Sequence, residues 1–489
     1  MRPYTIVIIG AGFSGAMTAV QLMRQTRTPL RIVLVNKSGR VARGLAYGTR
    51  SPGHLLNVPA GNMSALPEAP NDFLDYCRWA DPCVAPHSFV PRALYGAYLE
   101  ALLSSTESGL GASRHATLER LTGEVLALSR GGASHPDRTL LTLDDGNQLE
   151  CDTVVLAFGH FPPATVSPCA DIDALGHHYI ADPWADERLH DVHRGASVLL
   201  VGNSLTALDV LTSLNQLGHT GPIVCVSRRG LVQQSHRPEG APASGSKPDG
   251  AALASNMGST LRGQTRVLRA AIAAAIEERH DWRDVIGSLR AHTPALWQAL
   301  GQSDKRRFLR HVRPYWDVLR HRCAPEAAEL VHELKQAGRL DTLAARIRSA
   351  RISSDDGRAE VTFRLRGSGE METRRFDLVI NCTGPSSDLM QSNMPLLKQL
   401  LQQGHLQADP LGLGLRVDAH YATLDAADCA QSWLRYIGPM LKARDWEAIA
   451  VPELRVHAQK LAAVLLAARD AARDAAQDAT QSASAAIPA

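Results

Sequence analysis

Two glycine-bearing turns hold the residue patterns most able to do chemistry. The first, Gly10-Ala11-Gly12-Phe13-Ser14-Gly15, is a G-x-G-x-x-G string between an apolar run, Tyr4 to Ile9, and a helix-forming stretch, Ala16 to Arg24. Gly10 allows a tight turn, Gly12 lets backbone approach a pyrophosphate, and Gly15 lets the helix pack on the strand. Phe13 and Ser14 complete a helix N-terminus, whose free N–H groups and partial positive charge suit phosphates. The second turn, Gly202-Asn203-Ser204-Leu205-Thr206-Ala207, comes after the apolar run Ser197 to Val201 and precedes a helix from about Leu208 to Leu217. It is a G-x-S-x-x-A version of the same pattern, with Ser204 in place of the middle glycine.

The end of the next strand distinguishes the two ligands. Leu30 to Val35 reads as a second strand ending at Asn36, 21 residues after Gly15, with Lys37 beside it. Ile223 to Ser227 ends at Arg228 and Arg229, and Arg228 lies the same 21 residues beyond Ala207. A ribose-contacting side chain belongs at that interval. A neutral amide can hydrogen-bond a ribose, whereas guanidinium groups pair with a 2′-phosphate. The first unit is therefore expected to hold FAD and the second NADPH. A solvated strand end is the plainer alternative for the arginine pair.

Such turns need parallel sheets behind them, so the chain reads as α/β, with two Rossmann-type dinucleotide-binding domains and a helical insertion. The expected division is 1–165 for a first FAD-binding part and 166–385 for an NADPH-binding domain with an insert at about 262–338. A C-terminal FAD-binding part at 386–465 and a disordered Ala-rich tail at 466–489 complete it. Each half closes on one pattern, Asp152 to Gly159 before Pro162-Pro163, and Asp377 to Gly384 before Pro385. A strand that ends in a small residue lets backbone approach a cofactor, which makes Gly159 and Gly384 candidate contacts. Residues 118–160 read as strands joined by turns, with a hairpin at Asp144-Asp145-Gly146-Asn147. Tyr95 and Tyr98 read as core. Pro238 to Gly263, rich in Gly, Ala, Ser and Pro, reads as a mobile loop. Val451-Pro452-Glu453 opens a last helix, whose N-terminus at Pro452 would steady negative charge on a reduced flavin ring. The basic stretch from Lys305 to Arg322, interleaved with Phe308, Tyr315 and Trp316, either covers the cofactor cleft and receives an anion or is a solvated face.

A formal net charge of +3 over 489 residues gives no ground for a nucleic-acid or membrane partner. No apolar stretch reaches the roughly 18 residues of a membrane span. The first strand, starting at Tyr4, leaves no room for a cleaved signal peptide, and eight scattered cysteines without C-x-x-C spacing suit a reducing cytoplasm. No metal site is expected, and self-association is left open.

In motif order, over roughly residues 4–465, the chain resembles the FAD/NAD(P)-binding proteins related to class B flavoprotein monooxygenases. That group includes flavin-containing monooxygenases, N-hydroxylases and Baeyer–Villiger enzymes. The likeness is carried by Gly10 to Gly15, Gly44 to Tyr47, Leu56 to Met63 and Asp152 to Pro163. Gly202 to Arg229, Asn381 to Pro385, Asp409 to Leu415 and Val451 to Arg455 continue it. The resemblance implies an FAD- and NADPH-dependent monooxygenase that uses O2, through a C4a-(hydro)peroxyflavin, on a small N- or S-containing nucleophile. Leu56, Asn57 and Met63 match a flavin-contacting segment, in which Asn57 lies beside the reactive flavin carbon and is the expected catalytic residue. A loop-stabilising amide is the alternative for Asn57. Two departures stand out. Asn36 replaces the usual acidic residue, and the Baeyer–Villiger string is absent, His177, His178 and Trp184 lying in its region without its spacing. Heteroatom oxygenation is therefore ahead of ester formation. His160 and His178 are candidate bases by location only. The rival readings are an NADPH-dependent flavin reductase or dehydrogenase without oxygen insertion, and a redox-sensing flavoprotein without catalysis.

Overall fold

In the computed structural model the described residues are 2–109, 115–132, 135–166, 172–184, 187–238 and 248–485. The strands in chain order are β1 (Tyr4–Ile9), β2 (Leu30–Asn36), β3 (Ala116–Thr122), β4 (Val125–Gly132), β5 (His135–Leu143), β6 (Gln148–Cys151), β7 (Thr153–Leu156) and β8 (Tyr179–Ile180). They continue as β9 (Val198–Val201), β10 (Ile223–Ser227), β11 (Leu340–Ile352), β12 (Ala359–Leu365), β13 (Met371–Phe376), β14 (Leu378–Asn381), β15 (Ala422–Leu424) and β16 (Ala430–Tyr436). One sheet has the order β15-β16-β7-β1-β2-β3, a second β13-β12-β11-β10-β9-β14-β8, and β4-β5-β6 form a small antiparallel sheet. The inner strands of the two large sheets pair in parallel, and their apolar runs are buried on both faces as such strands must be. These are two Rossmann-type units.

The two units share their joints as well as their topology. Gly10 N–H donates to the Val35 carbonyl at 2.8 Å, and Gly202 N–H donates to the Val226 carbonyl at 2.8 Å. In the first unit, the Asp152 carboxylate accepts from Thr5 N–H at 2.7 Å. In the second, the Asp377 carboxylate accepts from Ser197 N–H at 2.7 Å. Each aspartate thus satisfies the donor at the mouth of the first strand of its unit, where no sheet neighbour reaches it. That is the physical content of the repeated Asp-strand-Gly-Pro pattern.

Between β10 and β11 the chain forms helices at Gly250–Ser255, Leu261–Glu277, Trp282–Ser288, Thr293–Ala299, Gln302–Arg307, Arg313–Arg320 and Pro325–Gln336. The stretch read as a mobile loop, Pro238 to Gly263, contains one short helix, Gly250–Ser255, capped by the Asp249 side chain, and ends in the first turn of the expected helical insert, capped by Thr260. Residues 239–247 lie outside the described residues. The tail from Ala467 onward, read as a fraying helix that gives way to disorder, continues the last helix, Val451–Ala485, which its alanine content favours. Residues 486–489 lie outside the described residues. This last helix packs on Phe13–Gln25, and Arg469 Nη1 donates to Thr26 Oγ1 at 2.7 Å. Tyr95 and Tyr98 are core residues, as expected.

The two units meet along one seam. Arg92, at the start of the helix Arg92–Glu107, donates Nη1 to Asp209 Oδ2 at 2.9 Å and Nε to the Leu55 carbonyl at 2.9 Å. Asp209 lies in the helix Leu205–Gln216 of the second unit. His54 Nε2 meets Ser213 Oγ at 2.8 Å, and Ser51 Oγ donates to Gln216 Oε1 at 2.8 Å. Loop 51–57 of the first unit is therefore fastened along the first helix of the second.

Candidate active site

At the first turn Gly10 has φ +110°, and a Cβ there would sit 2.6 Å from the Ala157 carbonyl oxygen. A Cβ on Gly15 would sit 1.9 Å from the Gly10 carbonyl oxygen, so strand and helix touch backbone to backbone. Gly12, by contrast, has only the Gly44 Cα in ordinary contact, and it precedes a helix whose first turn, Phe13, Ser14 and Gly15, is buried. The residues fit a dinucleotide pyrophosphate: a close-packed turn, one uncrowded glycine and a helix N-terminus of 13 residues. Asn36 ends β2 with its Nδ2 donating to Ser38 Oγ at 2.9 Å and to the Arg40 carbonyl. Lys37 is turned to Glu124, Nζ to Oε2 at 2.6 Å. Leu56 and Met63, each 2% exposed, are packed in the core with Phe13. Gly159 has nothing within 4 Å of a would-be Cβ, and the same is true of Gly384, where φ is +86°. Both strand ends are open on that side.

The second turn is more open. Gly202 has φ +125° with a would-be Cβ 2.2 Å from the Cys382 carbonyl oxygen, but Ser204 is exposed and Leu205 and Thr206 are half-buried. Ser204 caps the helix Leu205–Gln216 with extended backbone, and its hydroxyl makes no capping bond. Past β10 a cationic well opens. Burial, and after it the charges of Arg229, Arg313 and Arg346, pushes the Arg228 guanidinium below its ordinary value. Arg229 lies over the Tyr315 ring at 5.8 Å and donates Nη2 to the Arg310 carbonyl at 2.7 Å. Pro314, four residues on, has no N–H to give it, and the helix opens into a π-turn at Phe308–Val312. Arg228 and the three guanidinium groups that repel it make a charge arrangement that suits a doubly charged anion.

Asn57 lies where the units face each other. Its carbonyl is 3.0 Å from His236 Nε2, and the His236 ring is 5.1 Å from that of Phe89. Burial first, then the positive charge of Arg322, lowers His236 to about 4, so the imidazole is neutral and its Nε2–H donates to Asn57. Behind this contact is a band of half-buried charge. Arg237 reaches Asp281 and Asp284 at 2.6 Å each, Arg290 Nη2 reaches Glu453 Oε2 at 2.7 Å, and Arg320 reaches Glu447 at 3.1 Å. Glu453 is the neighbour of Pro452, so the last helix starts against this band. Trp316 Nε1 donates to the other Glu447 oxygen at 3.3 Å.

The basic stretch therefore divides. Arg306, Arg307 and Arg310 are exposed, Arg313 joins the cationic well, and Arg320 and Arg322 turn inward. Arg228, Arg229 and Asn57 stand out in the sequence, whereas Arg346, Arg290 and His236 do not, because they reach their neighbours only through tertiary packing. His236 comes after a run of polar residues with no periodicity, so no local signal marks it. His178 is a structural residue, with Nδ1 2.8 Å from the Asp377 carbonyl. His160 comes four residues after β7, and burial, with the charge of Lys442 after it, lowers it to about 4. Among the described residues no helix is long and apolar enough to cross a membrane, and no cluster of His, Cys, Asp and Glu could hold a metal.

The FAD-NAD(P)-binding family model matches residues 7–161. An L-aspartate N-monooxygenase (nitrosuccinate-forming) from Streptomyces cremeus is 35% identical over 260 residues, covering 45% of this chain. The match spans 38% of the length of that relative. An L-lysine 6-monooxygenase from Pseudomonas syringae superposes with a TM-score of 0.61 at 15% identity, over 95% of this chain and 99% of that one. An ornithine N-hydroxylase from Kutzneria sp. 744, solved with reduced FAD, NADP+ and L-ornithine, gives 0.60 at 15%, over 96% and 100%. Residues 7–161 thus match the FAD-NAD(P)-binding model, within a two-unit fold shared with the ornithine N-hydroxylase and the L-lysine 6-monooxygenase.

Proposed function

We infer that this protein is an FAD- and NADPH-dependent monooxygenase that oxidises the nitrogen of a small amine. The observation that carries the reading is the facing of two different nucleotide cradles across the Asn57–His236 contact. One ends β2 in a neutral amide and the other ends β10 in guanidinium groups. Bound flavin would supply the redox chemistry: hydride from NADPH, then activation of O2, with one oxygen going to the amine and the other leaving as water.

The chain's own residues bind, orient and shelter. Gly10, Gly12, Phe13, Ser14 and Gly15 hold the FAD pyrophosphate, Asn36 the ribose, and Gly159 and Gly384 leave room beside the strand ends. Gly202, Ser204, Leu205 and Thr206 take the NADPH pyrophosphate, and Arg228 and Arg229, with Arg313 and Arg346, take its 2′-phosphate. Asn57, fixed through its carbonyl by His236, presents its amide at the reacting centre and helps to exclude water. The N-terminus of the last helix, at Pro452, offers positive potential to the same place. Residues 1–165 and 386–465 form the FAD domain and 166–385 the NADPH domain on this reading.

A disulfide reductase is disfavoured by the thiols. Cys225 and Cys382 lie near each other, but both are buried and burial pushes Cys225 up to about 12, leaving no thiolate to react. The test is NADPH oxidation in air by FAD-loaded protein with L-ornithine, L-lysine, L-aspartate and cadaverine in turn. Amine-stimulated oxidation coupled to an N-oxidised product is expected from at least one of them. Flavin reduction with no N-oxidised product from any amine would show electron transfer alone.

A further inference from the structure

The main chain leading to Asn57 is clamped, while the Asn57 side chain is not. Arg92 N–H donates to the His54 carbonyl at 2.8 Å, Arg92 Nε donates to the Leu55 carbonyl at 2.9 Å, and Leu56 N–H donates to the Val90 carbonyl at 2.9 Å. His236 Nε2 lies 3.0 Å from the carbonyl of Asn57 itself. The Asn57 amide, by contrast, has no hydrogen-bond partner among the described residues. A fixed backbone under an uncommitted side chain presents a group to a ligand, whereas an amide that stabilised the loop would be spent on backbone groups.

The clamp is anchored outside the first unit. Arg92 is buried, and its guanidinium donates Nη1 to Asp209 Oδ2 at 2.9 Å. Asp209, Ser213 and Gln216 recur at helical spacing from Leu205, so they form one stripe along the helix Leu205–Gln216. The loop before Asn57 lies against that stripe. His54 Nε2 meets Ser213 Oγ at 2.8 Å, and a Cβ on Gly53 would sit 2.8 Å from Thr212 Cγ2. The same helix starts at Ser204, Leu205 and Thr206, which take the NADPH pyrophosphate on the reading above. A helix carries position along its length, because each turn is hydrogen-bonded to the next. One rod of 12 residues thus bears the nucleotide at its N-terminus and, a turn further on, holds Arg92 through Asp209.

We propose that Arg92 is a positioning residue for Asn57. By gripping the Leu55 carbonyl with Nε and Asp209 with Nη1, it fixes the Asn57 amide relative to the bound nucleotide and so governs how much of the NADPH consumed ends in oxygen transfer. The inference rests on the N-monooxygenase reading, with Asn57 at the reacting centre. Arg92 itself touches neither cofactor nor substrate, so its loss moves the yield of oxygen transfer and not the affinity for the nucleotide. NADPH oxidised without transfer gives its two electrons, with two protons, to O2, and hydrogen peroxide counts the failures.

Two variants of the FAD-loaded full chain separate position from stability, each assayed with an amine that wild type oxidises. Arg92→Lys keeps a cation for Asp209 but has one ammonium in place of a fork, so it cannot hold both partners. Arg92→Leu with Asp209→Leu removes the buried pair without leaving a charge alone, and it too lets go of the Leu55 carbonyl. In both, N-oxidised product per NADPH oxidised should fall about 10-fold, the difference appearing as hydrogen peroxide, with the KM for NADPH within about two-fold of wild type. Asn57→Ala should fall at least as far, and adding Arg92→Lys to it should change nothing further, since a positioning residue acts only through the group it positions. The visible circular dichroism of the bound oxidised flavin, read without NADPH or amine, should follow the same cycle.

Wild-type coupling in a stable Arg92→Leu, Asp209→Leu protein would make Arg92 a stabilising residue alone and overturn the proposal, while leaving the monooxygenase reading intact. Losses that add in the Arg92→Lys, Asn57→Ala protein, or a KM for NADPH that rises as product falls, would overturn it too. No N-oxidised product from wild type with any amine would sink the monooxygenase reading, and the dichroism cycle would then decide on Arg92 by itself.

Discussion

At the scale of single residues, charge and protonation set what the site can hold. Arg228 is crowded by like charges, and a bound dianion would relieve that repulsion, so the well discriminates between nucleotides by one phosphate. Arg228→Ala together with Arg229→Ala should raise the KM for NADPH by roughly 10- to 100-fold and leave that for NADH nearly unchanged, as steady-state kinetics would read. His236 and His321 give a pH signature. Burial is the main cause in both, taking His236 to about 4 and His321 to about 3, far below the usual imidazole value. Between these values and about 6.5 the unfolded chain binds more protons than the folded one. Stability therefore rises with pH across that window and is complete above it. Thermal unfolding from pH 4 to 7 should show the rise, and His236→Gln should flatten it. The strand-end arginines were legible because their distance from the turn is local. The partner of Asn57 was not, since His236 is 179 residues away in the chain.

At the scale of elements, the two strand-turn-helix units owe their closeness to backbone lying on backbone. Gly202 sits at φ +125° with a would-be Cβ 2.2 Å from a carbonyl oxygen, whereas Gly384, at φ +86°, has open space. Gly202→Ala carries both strain and overlap and should cost more than about 2 kcal/mol in urea unfolding. Gly384→Ala carries strain alone, and about 1–2 kcal/mol is expected. Both fingerprints could be read from sequence because turn, strand and helix are neighbours in it. The short helix Gly250–Ser255 was not so legible: small residues there suggested a loop, while the Asp249 side chain caps a turn of helix. The π-turn at Phe308–Val312 was equally hidden, although Pro314 marks the spot once the helix is known.

At the scale of the whole molecule, the relation of the two nucleotide units hangs on the seam around Arg92. That pair is almost sealed from water, with side chains 9% and 12% exposed, and burial raises Asp209 against the pull of Arg92. Arg92→Ala would leave a carboxylate buried alone and should destabilise the protein by roughly 3–5 kcal/mol. Arg92→Leu with Asp209→Leu should recover much of that loss in the same melting experiment, and hydride transfer should slow wherever the seam loosens. None of the seam is visible in the sequence, because its partners are over a hundred residues apart.

The last helix bears on how the protein comes into being. Strands β8 to β14 form a continuous run, so the inner unit has all its strands while the ribosome is still working. The outer unit waits: its first strand and helix lack β15, β16 and the covering helix Val451–Ala485 until the whole inner unit has been made. The earlier-made cradle is thus finished after the later-made one, and flavin loading waits for the helix Val451–Ala485.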